Sequence, residues 1–347
     1  MTVNPGTLPI AGHPARLPLR VELPRGRAVR PGLAASALLL ALASCGGGAS
    51  RPPATPAPTQ PGPGAPGATD DAVEDSAAAG QDGAGPARPA VPEPVVLPQP
   101  PFERFVSEEL AGTVQTRKPK LVQVSKKRNQ ITDEERWFRD IGVTLPVSQT
   151  APEGLAELRG VPLLSRIEGD PALLVYQTLD GAAAYVVGVD PGTSEVRFAF
   201  DFSSFRTPPA AAQGAESLVA MEIQWAVAQG DRLYISHAHR TYAESSQGAN
   251  AYVTALRIPD GALLWRSQPL VSNAQNFALV PAGEGGQVLI TGYGFTAEPD
   301  FLYVLDPETG AVLSKTKVDS GPEYIFPQGA QIHVRTYDRD YVFRLQP

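Results

Sequence analysis

The fold of this chain is decided by the stretch Val304-Leu305-Asp306-Pro307-Glu308-Thr309-Gly310-Ala311-Val312-Leu313-Ser314. Two other segments, 188–198 and 255–265, align with it without gaps, and a Tyr-Val pair stands at or just before the start of each copy. In every copy a turn with Pro, Asp or Gly separates two apolar runs. Proline holds φ at about −65° and glycine accepts a positive φ, so each copy predicts a tight turn between antiparallel strands. Three copies in register indicate an internal repeat.

These copies resemble the quinoprotein-like β-propeller repeat, which reads Ala, any, Asp, two of any, Thr, Gly, three of any, Trp. The positions that the second and third copies keep are Ala255, Gly261, Trp265, Asp306, Thr309 and Gly310. The first copy keeps Asp190 and Thr193 and has Phe198 at the aromatic position. In the first copy we expect Gly192 to adopt the positive φ that Gly261 and Gly310 adopt in the other two. The resemblance implies blades of four strands, with the turn before the outermost strand and the final aromatic docked between blades.

Strand signals dominate the chain after residue 150. Short runs rich in Val, Ile, Leu, Tyr and Phe, bounded by Gly, Pro or Asp, predict strands. The predicted strands are 173–179, 184–190, 195–202, 231–237, 251–258, 287–293, 301–306 and 331–337. This pattern predicts an all-β fold, and the repeat makes it a small β-propeller.

About four blades are expected, over 164–202, 218–267, 276–317 and 324–346, and the last lacks its fourth strand. Propellers commonly close by taking that strand from the other end of the chain. The alternating segment 120–125 is the candidate. A fifth blade drawn from 102–145, or an open half-propeller completed by a second copy of the chain, are the alternatives.

One short helix interrupts the strands. The sequence Thr132-Asp133-Glu134-Glu135 has the form of a capping box, in which Thr132 and Glu135 cap each other's backbone amides. We expect a helix through Trp137 and Phe138 that ends before Gly142. Its aromatic side chains should pack on the β body.

The run Leu42-Ala43-Ser44-Cys45 resembles the lipobox of bacterial lipoproteins. It follows three arginines and about a dozen small or apolar residues, the order of a secretory signal peptide that is too short to span a bilayer. The resemblance implies that residues 1–44 are removed, after a start that could lie later at Val21 or Val29, and that Cys45 carries a lipid. An ordinary signal peptide is the alternative. Gly46 after the cysteine resembles an outer-membrane address, facing the periplasm.

Residues 45–101 are rich in Pro, Ala, Gly and Thr. So few large apolar groups cannot offset the entropy of ordering, and we therefore expect a disordered linker. As a flexible coil of about 55 residues it would span about 40 Å. A tether is one interpretation and a low-complexity expansion is the other. Residues 102–150 then form an N-terminal segment with one strand and the helix, and 151–347 hold the repeats.

The net charge of −7 and the pI near 5.2 argue against a general nucleic-acid partner. A basic run still flanks the proposed closing strand. Its members are Arg117, Lys118, Lys120, Lys126, Lys127 and Arg128. It could attract anionic lipids or an acidic partner, or it could be a solvated edge that discourages strand pairing.

Few residues suggest a metal site. His237 and His239 are weak candidates because residues two apart on a strand project to one side, and His333 is the other histidine after residue 150. The carboxylates Asp300, Asp306, Asp338 and Asp340 show no calcium-loop pattern and are interpreted as turn and edge residues. We therefore predict no catalytic residues, no cofactor and no metal beyond the weak histidine pair.

The favoured function is a lipid-anchored, non-enzymatic binding or scaffold protein that holds another envelope protein, as propeller lipoproteins of the outer-membrane barrel-assembly machinery do. No Gly-x-Ser-x-Gly elbow or phosphate loop is present. Quinone-dependent dehydrogenases share the repeat but need more blades and a cysteine pair. The alternative is a small hydrolase or lyase with its site in the central channel, using His237, His239, Glu222 or Arg335.

Overall fold

The computed structural model describes residues 91–100, 119–179, 181–207, 219–239, 248–283, 286–295 and 298–347. The signal segment, Cys45, most of the linker, Arg117 and Lys118 lie outside these ranges. Within them, no helix has the length and apolar character needed to cross a membrane.

The described residues are mostly strand, with one α-helix. The helix α1 spans Glu134–Asp140 and follows a 3₁₀ turn at Ile131–Asp133. The strands in chain order are β1 (Val95–Val96), β2 (Lys120–Arg128), β3 (Val147–Ser148), β4 (Glu157–Leu158), β5 (Val161–Ile167), β6 (Ala172–Gln177), β7 (Ala184–Val189), β8 (Val196–Asp201), β9 (Arg206–Thr207), β10 (Val219–Ala220), β11 (Glu222–Gln229), β12 (Arg232–Ala238), β13 (Tyr252–Arg257), β14 (Leu263–Arg266), β15 (Ala278–Pro281), β16 (Gln287–Tyr293), β17 (Phe301–Leu305), β18 (Val312–Lys317), β19 (Pro322–Gln328), β20 (Gln331–Thr336) and β21 (Arg339–Gln346).

Successive antiparallel meanders make up this part of the chain. Sheet 1 contains β5 to β8 in order, with β3 and β4 on β5 and β1 on β8. Sheet 2 contains β11 to β14, sheet 3 contains β15 to β18, and sheet 4 contains β19 to β21 followed by β2. A two-stranded pair, β9 and β10, connects sheets 1 and 2. The four-stranded up-and-down unit is the blade of a β-propeller, so the topology confirms the all-β prediction and agrees with the propeller prediction.

The sheets stack through their apolar faces. One core joins sheets 1 and 2 to part of sheet 3, and a second joins sheets 3 and 4. A third core lies on the far face of sheet 1, where Leu155 and Leu158 pack on Leu174 and Tyr176. The far face of sheet 4 is covered in part by α1, which is placed there by its aromatic side chains.

The predicted closing strand is confirmed and is longer than expected. Strand β2 pairs antiparallel with β21, from Lys120 opposite Gln346 to Arg128 opposite Arg339. A bulge interrupts the register between Gln123 and Ser125. Sheet 4 therefore takes its outer strand from the N-terminal side of the domain.

The repeat turns form as predicted at the second and third copies. Gly261 and Gly310 have φ of 67° and 73°, and each donates its amide hydrogen to the carbonyl oxygen four residues earlier. In the first copy the prediction for Gly192 is wrong, because Ser194 itself adopts φ of 61° and donates to the Asp190 carbonyl. The gap-free alignment therefore holds even where glycine is missing.

Trp265 docks one sheet on the next, as the repeat implies. Its Nε1 donates to the Pro307 carbonyl at 3.0 Å, and its ring lies directly against Gly310. In the first copy the docking residue is Phe200 and not the expected Phe198. A Cβ on Gly261 would lie 3.0 Å from the Phe200 ring, whereas Phe198 fills the space above Gly188.

Two boundaries differ from the sequence prediction. The α-helix begins at Glu134 with Asp133 in the N-cap position, so the predicted capping-box start at Thr132 is wrong, although the helix includes Trp137 and ends before Gly142 as expected. Residues 91–100, assigned to the disordered linker, are structured. Strand β1 pairs in parallel with β8, and Leu97 is buried in the core of sheets 1 and 2. The short apolar run in residues 91–100 lies among prolines, and the sequence pattern therefore did not predict a strand there.

Replacing Gly310 with alanine should lower the free energy of unfolding by about 3 kcal/mol. The left-handed backbone costs about 1 kcal/mol for a residue with a Cβ, and displacing the Trp265 ring adds about 2 kcal/mol. Gly329→Ala is the matched control, since Gly329 has φ of 59° but no atom within 4 Å of the place that an alanine Cβ would take. Urea unfolding measures both. Equal losses for the two variants would show that Trp265 does not dock there.

Candidate functional site

A row of charged side chains crosses sheet 4 on the face that carries α1. Arg335 on β20 lies opposite Asp340 on β21, which in turn lies opposite Lys127 on β2. Directly opposite residues of antiparallel strands project to the same side of the sheet. The row therefore alternates positive, negative and positive charge.

Arg335 and Asp340 form a buried ion pair at the centre of this row. The Nε and Nη2 atoms of Arg335 donate to the two carboxylate oxygens of Asp340 at 2.8 and 3.2 Å, and Arg335 is 2% exposed. The guanidinium carbon lies 4.9 Å from the centre of the Trp137 ring. A two-point ion pair stacked on an aromatic ring fixes the guanidinium plane.

Asn129 is held beside this pair, immediately after β2. Its Nδ2 donates to Asp340 Oδ1 at 3.0 Å and to the Thr336 carbonyl at 3.2 Å. Two buried polar atoms of this cluster, Asn129 Oδ1 and Arg335 Nη1, have no hydrogen-bond partner within the described ranges. One is an acceptor and the other is a donor. Other atoms of Asn129 and Arg335 line a cleft of about 50 Å³ between sheet 4 and α1.

The rim of this cleft, called here the α1 cleft, carries both signs of charge. Its further lining residues are Lys127, Arg128, Asp133, Arg136, Trp137, Asp140 and Asp340. Arg136 and Asp140 approach each other at 3.9 Å. Lys127 and Arg128 form no ion pair with another described residue, so they are the available cations of the rim.

Aromatic packing holds α1 over sheet 4. The rings of Trp137 and Phe138 lie 5.2 to 6.4 Å from those of Tyr324 and Phe326, and Trp137 is buried. Gln328 adds a hydrogen bond from its amide to the Ile141 carbonyl at 2.6 Å. The expected packing of the helix aromatics on the β body is confirmed.

Two partly buried carboxyl groups lie at the same interface. Burial, with Glu134 as a further cause, raises the pKa of Glu323 to about 7. Burial also raises the pKa of Glu134, while Arg335 opposes both shifts. Burial at this interface therefore shifts these two glutamates towards the neutral form.

The histidine pair lies elsewhere, in sheet 2. His237 is completely buried against Phe205 and Tyr252, and its Nε2 is 2.7 Å from Thr254 Oγ1. Burial, assisted by Arg266, holds the pKa of His237 well below 6.5, and burial lowers that of His239 to about 4. Within the described ranges no group of three metal-ligating side chains forms, and His333 lies on sheet 4 opposite Val342.

The four aspartates considered as calcium ligands have separate structural roles. Asp306 accepts the Glu308 amide within its turn, Asp338 accepts from Ser320 Oγ and pairs with Arg339, and Asp340 holds Arg335. Asp300 is half-buried, and burial raises its pKa to about 6. The turn interpretation fits Asp306 and Asp338. It is wrong for Asp340, which is buried within β21, between β20 and β2.

The proposed channel residues occupy different parts of the structure. His237 lies in the core that joins sheets 1 and 2, next to Phe205, while Arg335 lies under α1 on sheet 4. Glu222 begins β11, opposite Ala238. Sequence patterns pointed to Arg335, Asp340 and Lys127 for separate reasons and gave no signal for Asn129. The signal that would have joined them is the register between β2 and β21.

No protein-family model and no curated protein sequence matches the chain. Among solved structures the chain is similar to BamB from Moraxella catarrhalis, at 10% identity and a TM-score of 0.25, over 58% of this chain and 61% of that one. It is also similar to Bacteroides ovatus Xyloglucan PUL GH43B, at 16% identity and a TM-score of 0.30, over 52% of this chain and 37% of that one. The chain thus spans less than two thirds of either structure, and TM-scores of this size do not assign it to a family.

Replacing Glu323 with glutamine should stabilise the protein more at pH 8 than at pH 5, by about 2 kcal/mol. A carboxyl whose folded pKa of about 7 exceeds its unfolded value of 4.5 loses stability as the pH rises through that interval. Glutamine cannot ionise, so the variant does not lose stability over this pH range. Urea unfolding at the two pH values gives the difference, with exposed Glu195→Gln as control. A gain that does not depend on pH would contradict a buried carboxyl at this interface.

Proposed function

We propose that this chain is a lipid-anchored binding or scaffold protein of the cell envelope, without catalytic activity, that holds another envelope protein. In this proposal residues 1–44 are the signal peptide and Cys45 carries the lipid. Residues 151–347 belong to the quinoprotein-like propeller repeats, with about four blades. The outer membrane, facing the periplasm, is the proposed location.

The surface of strand β2 carries the binding part of this proposal. Val122 and Val124 are 41% and 47% exposed on the outer strand of sheet 4. Lys126 contacts Asp319 at 2.9 Å, while Lys127 and Arg128 at the end of the same strand form no ion pair with a described residue. Exposed apolar side chains beside available cations fit a protein surface with acidic groups better than they fit bulk water.

Two of the polar side chains considered for catalysis, His237 and Arg335, are held by structural partners. The Nε2 atom of His237 is engaged with Thr254 Oγ1, and the His237 ring is enclosed by aromatic side chains. Arg335 is engaged by both oxygens of Asp340. These contacts support a binding function over the enzyme alternative, because catalysis in a channel needs acid and base groups that reach a common substrate.

The length of the segment after Cys45 supports the anchored arrangement. The first described residue, Val91, lies 46 residues after Cys45 in the sequence. A flexible coil of this length spans about 40 Å. Such a tether would let sheet 4 reach a partner held in the same membrane.

Photo-crosslinking in intact envelopes tests the binding function. The full chain should give one dominant crosslinked protein, and the combined change Val122→Ser and Val124→Ser should reduce its yield about fivefold. That loss corresponds to about 1 kcal/mol of removed apolar contact. Leu164→Ser is the matched control, since Leu164 is 39% exposed on sheet 1 and should leave the yield unchanged.

A Cys45→Ser variant separates the anchor from the partner. It should lose its lipid mass and leave the membrane fraction, while the purified protein keeps its fold by circular dichroism. An unmodified thiol on the wild-type chain would contradict the anchor. Equal crosslinking by the β2 and Leu164 variants would contradict the proposed binding surface.

A further inference from the structure

The outer edge of β2 is the longest open strand edge in the described part of the chain. One edge of β2 pairs with β21, and no described strand pairs with the other. Strand β2 has nine residues, whereas the outer strands β1, β14 and β18 of the other three sheets have two, four and six. Residues 122–128 are all exposed, so a second chain can reach this edge. An exposed strand edge is a template on which a further strand can add.

The backbone hydrogen bonds of β2 show which residues face outward. Asn129, directly after β2, donates its amide hydrogen to the Asp338 carbonyl at 3.1 Å. Along an antiparallel pair, residues whose N–H and C=O groups face the neighbouring strand alternate with residues whose groups face away from it. The backbone groups of Lys127 therefore face β21, and those of Lys126 and Arg128 face the open edge.

The cations of β2 restrict the partner that can add there. Lys127 and Arg128 are exposed, and they form no ion pair with a described residue. The carboxylate directly opposite Lys127, that of Asp340, is already engaged by Arg335. Successive residues of a strand project to opposite faces. A partner strand with two adjacent acidic residues would therefore place one carboxylate beside each cation.

A second copy of this chain does not fit the same edge. Antiparallel pairing of two β2 edges around this end would set Lys126, Lys127 and Arg128 against the same three cations, and like charges directly opposite each other destabilise a strand pair. An anionic lipid surface would balance the cations but would leave the outward backbone groups of Lys126 and Arg128 without a strand to pair with.

We propose that the open edge of β2 binds an extended acidic segment of a partner protein, which adds to sheet 4 as a further strand. Backbone hydrogen bonds to Lys126 and Arg128 hold this segment, and its adjacent acidic residues pair with Lys127 and Arg128. The added strand is antiparallel to β2, the more stable arrangement. Val122 and Val124, 41% and 47% exposed, contact the residues that follow the acidic pair. This assignment rests on the proposed binding function and specifies how the partner is held.

Isothermal titration of the full chain with N-methylated peptides tests strand addition. The probe is an octapeptide, blocked at both ends, with two adjacent glutamates followed by alternating threonine and valine. Only one alternating set of its amides can face β2. Methylation of that set should weaken binding at least about tenfold, because several backbone hydrogen bonds are lost. Methylation of the other set is the matched control and should leave affinity within about threefold, since it removes no bond to β2.

Charge variants test the acidic character of the segment. Changing Lys127→Gln together with Arg128→Gln should weaken the octapeptide about fivefold, as expected for two exposed ion pairs. Lys120→Gln is the matched control on the same strand. It lies about 23 Å from Lys127 along β2, well beyond a screening length of about 8 Å, so affinity should stay within about twofold. A peptide with lysine in place of both glutamates should bind at least about tenfold more weakly.

Several results would overturn the proposal. They are equal losses from the two methylation patterns, equal binding of the glutamate and lysine peptides, or no binding of the octapeptide at millimolar concentration. Binding to phosphatidylglycerol vesicles that the Lys127 and Arg128 changes abolish, without peptide binding, would assign these cations to a lipid surface instead.

The crosslinking experiment separates this proposal from the scaffold function. If a partner is still crosslinked through Val122 and Val124 while the peptides fail these tests, strand addition is wrong and the scaffold function stands. If no partner is crosslinked and no peptide binds, both are wrong.

Discussion

Pairing of β2 with β21 is the constraint on which the rest of the structure depends. It joins segments about two hundred residues apart, since Asn129 and Asp340 are separated by 211 positions. The loop-closure entropy of such a contact is recovered only through the many backbone hydrogen bonds and apolar contacts of sheet 4. Once β2 is in place, the segment that follows it has to cross the far face of sheet 4, and α1 packs there.

The α1 cleft is a product of that pairing. Asn129 reaches Asp340 only because it follows the last residue of β2, and Lys127 enters the charged row only because it lies opposite Asp340. The aromatic side chains of α1 then supply the surface on which Arg335 is held. Sheet 4 and the α1 cleft therefore both depend on the long-range pairing of β2 with β21.

Much of the fold could be predicted from the sequence because its signals are local. Proline, glycine and apolar alternation located the turns and most of the inner strands, and the docking of Trp265 followed from the repeat. The predictions that were wrong concerned features without a local sequence signal. The left-handed Ser194 has no compositional signal, and Phe200 replaces Phe198 because the next sheet's turn lies against it. Strand β1 was missed because its two valines lie among prolines.

Less of the candidate site than of the fold could be predicted from the sequence. Arg335 was considered for a catalytic channel and Asp340 for a turn, and only the cross-strand register shows that they form one ion pair. Asn129 carries no pattern at all, because its role comes from its position after a strand. The histidine pair was conspicuous in the sequence, yet burial holds His237 in a neutral form between aromatic rings.

Engineered cross-linking of β2 to β21 tests the central claim most directly. Ser125 lies directly opposite Val342, and opposite residues of antiparallel strands are within disulfide distance. In a Cys45→Ser background, Ser125→Cys with Val342→Cys should oxidise to an intramolecular disulfide, seen by peptide mass spectrometry. The pair Ser125→Cys with Tyr341→Cys, whose second side chain projects to the other face, should stay reduced. Efficient oxidation of the second pair with none in the first would contradict the proposed closure of sheet 4.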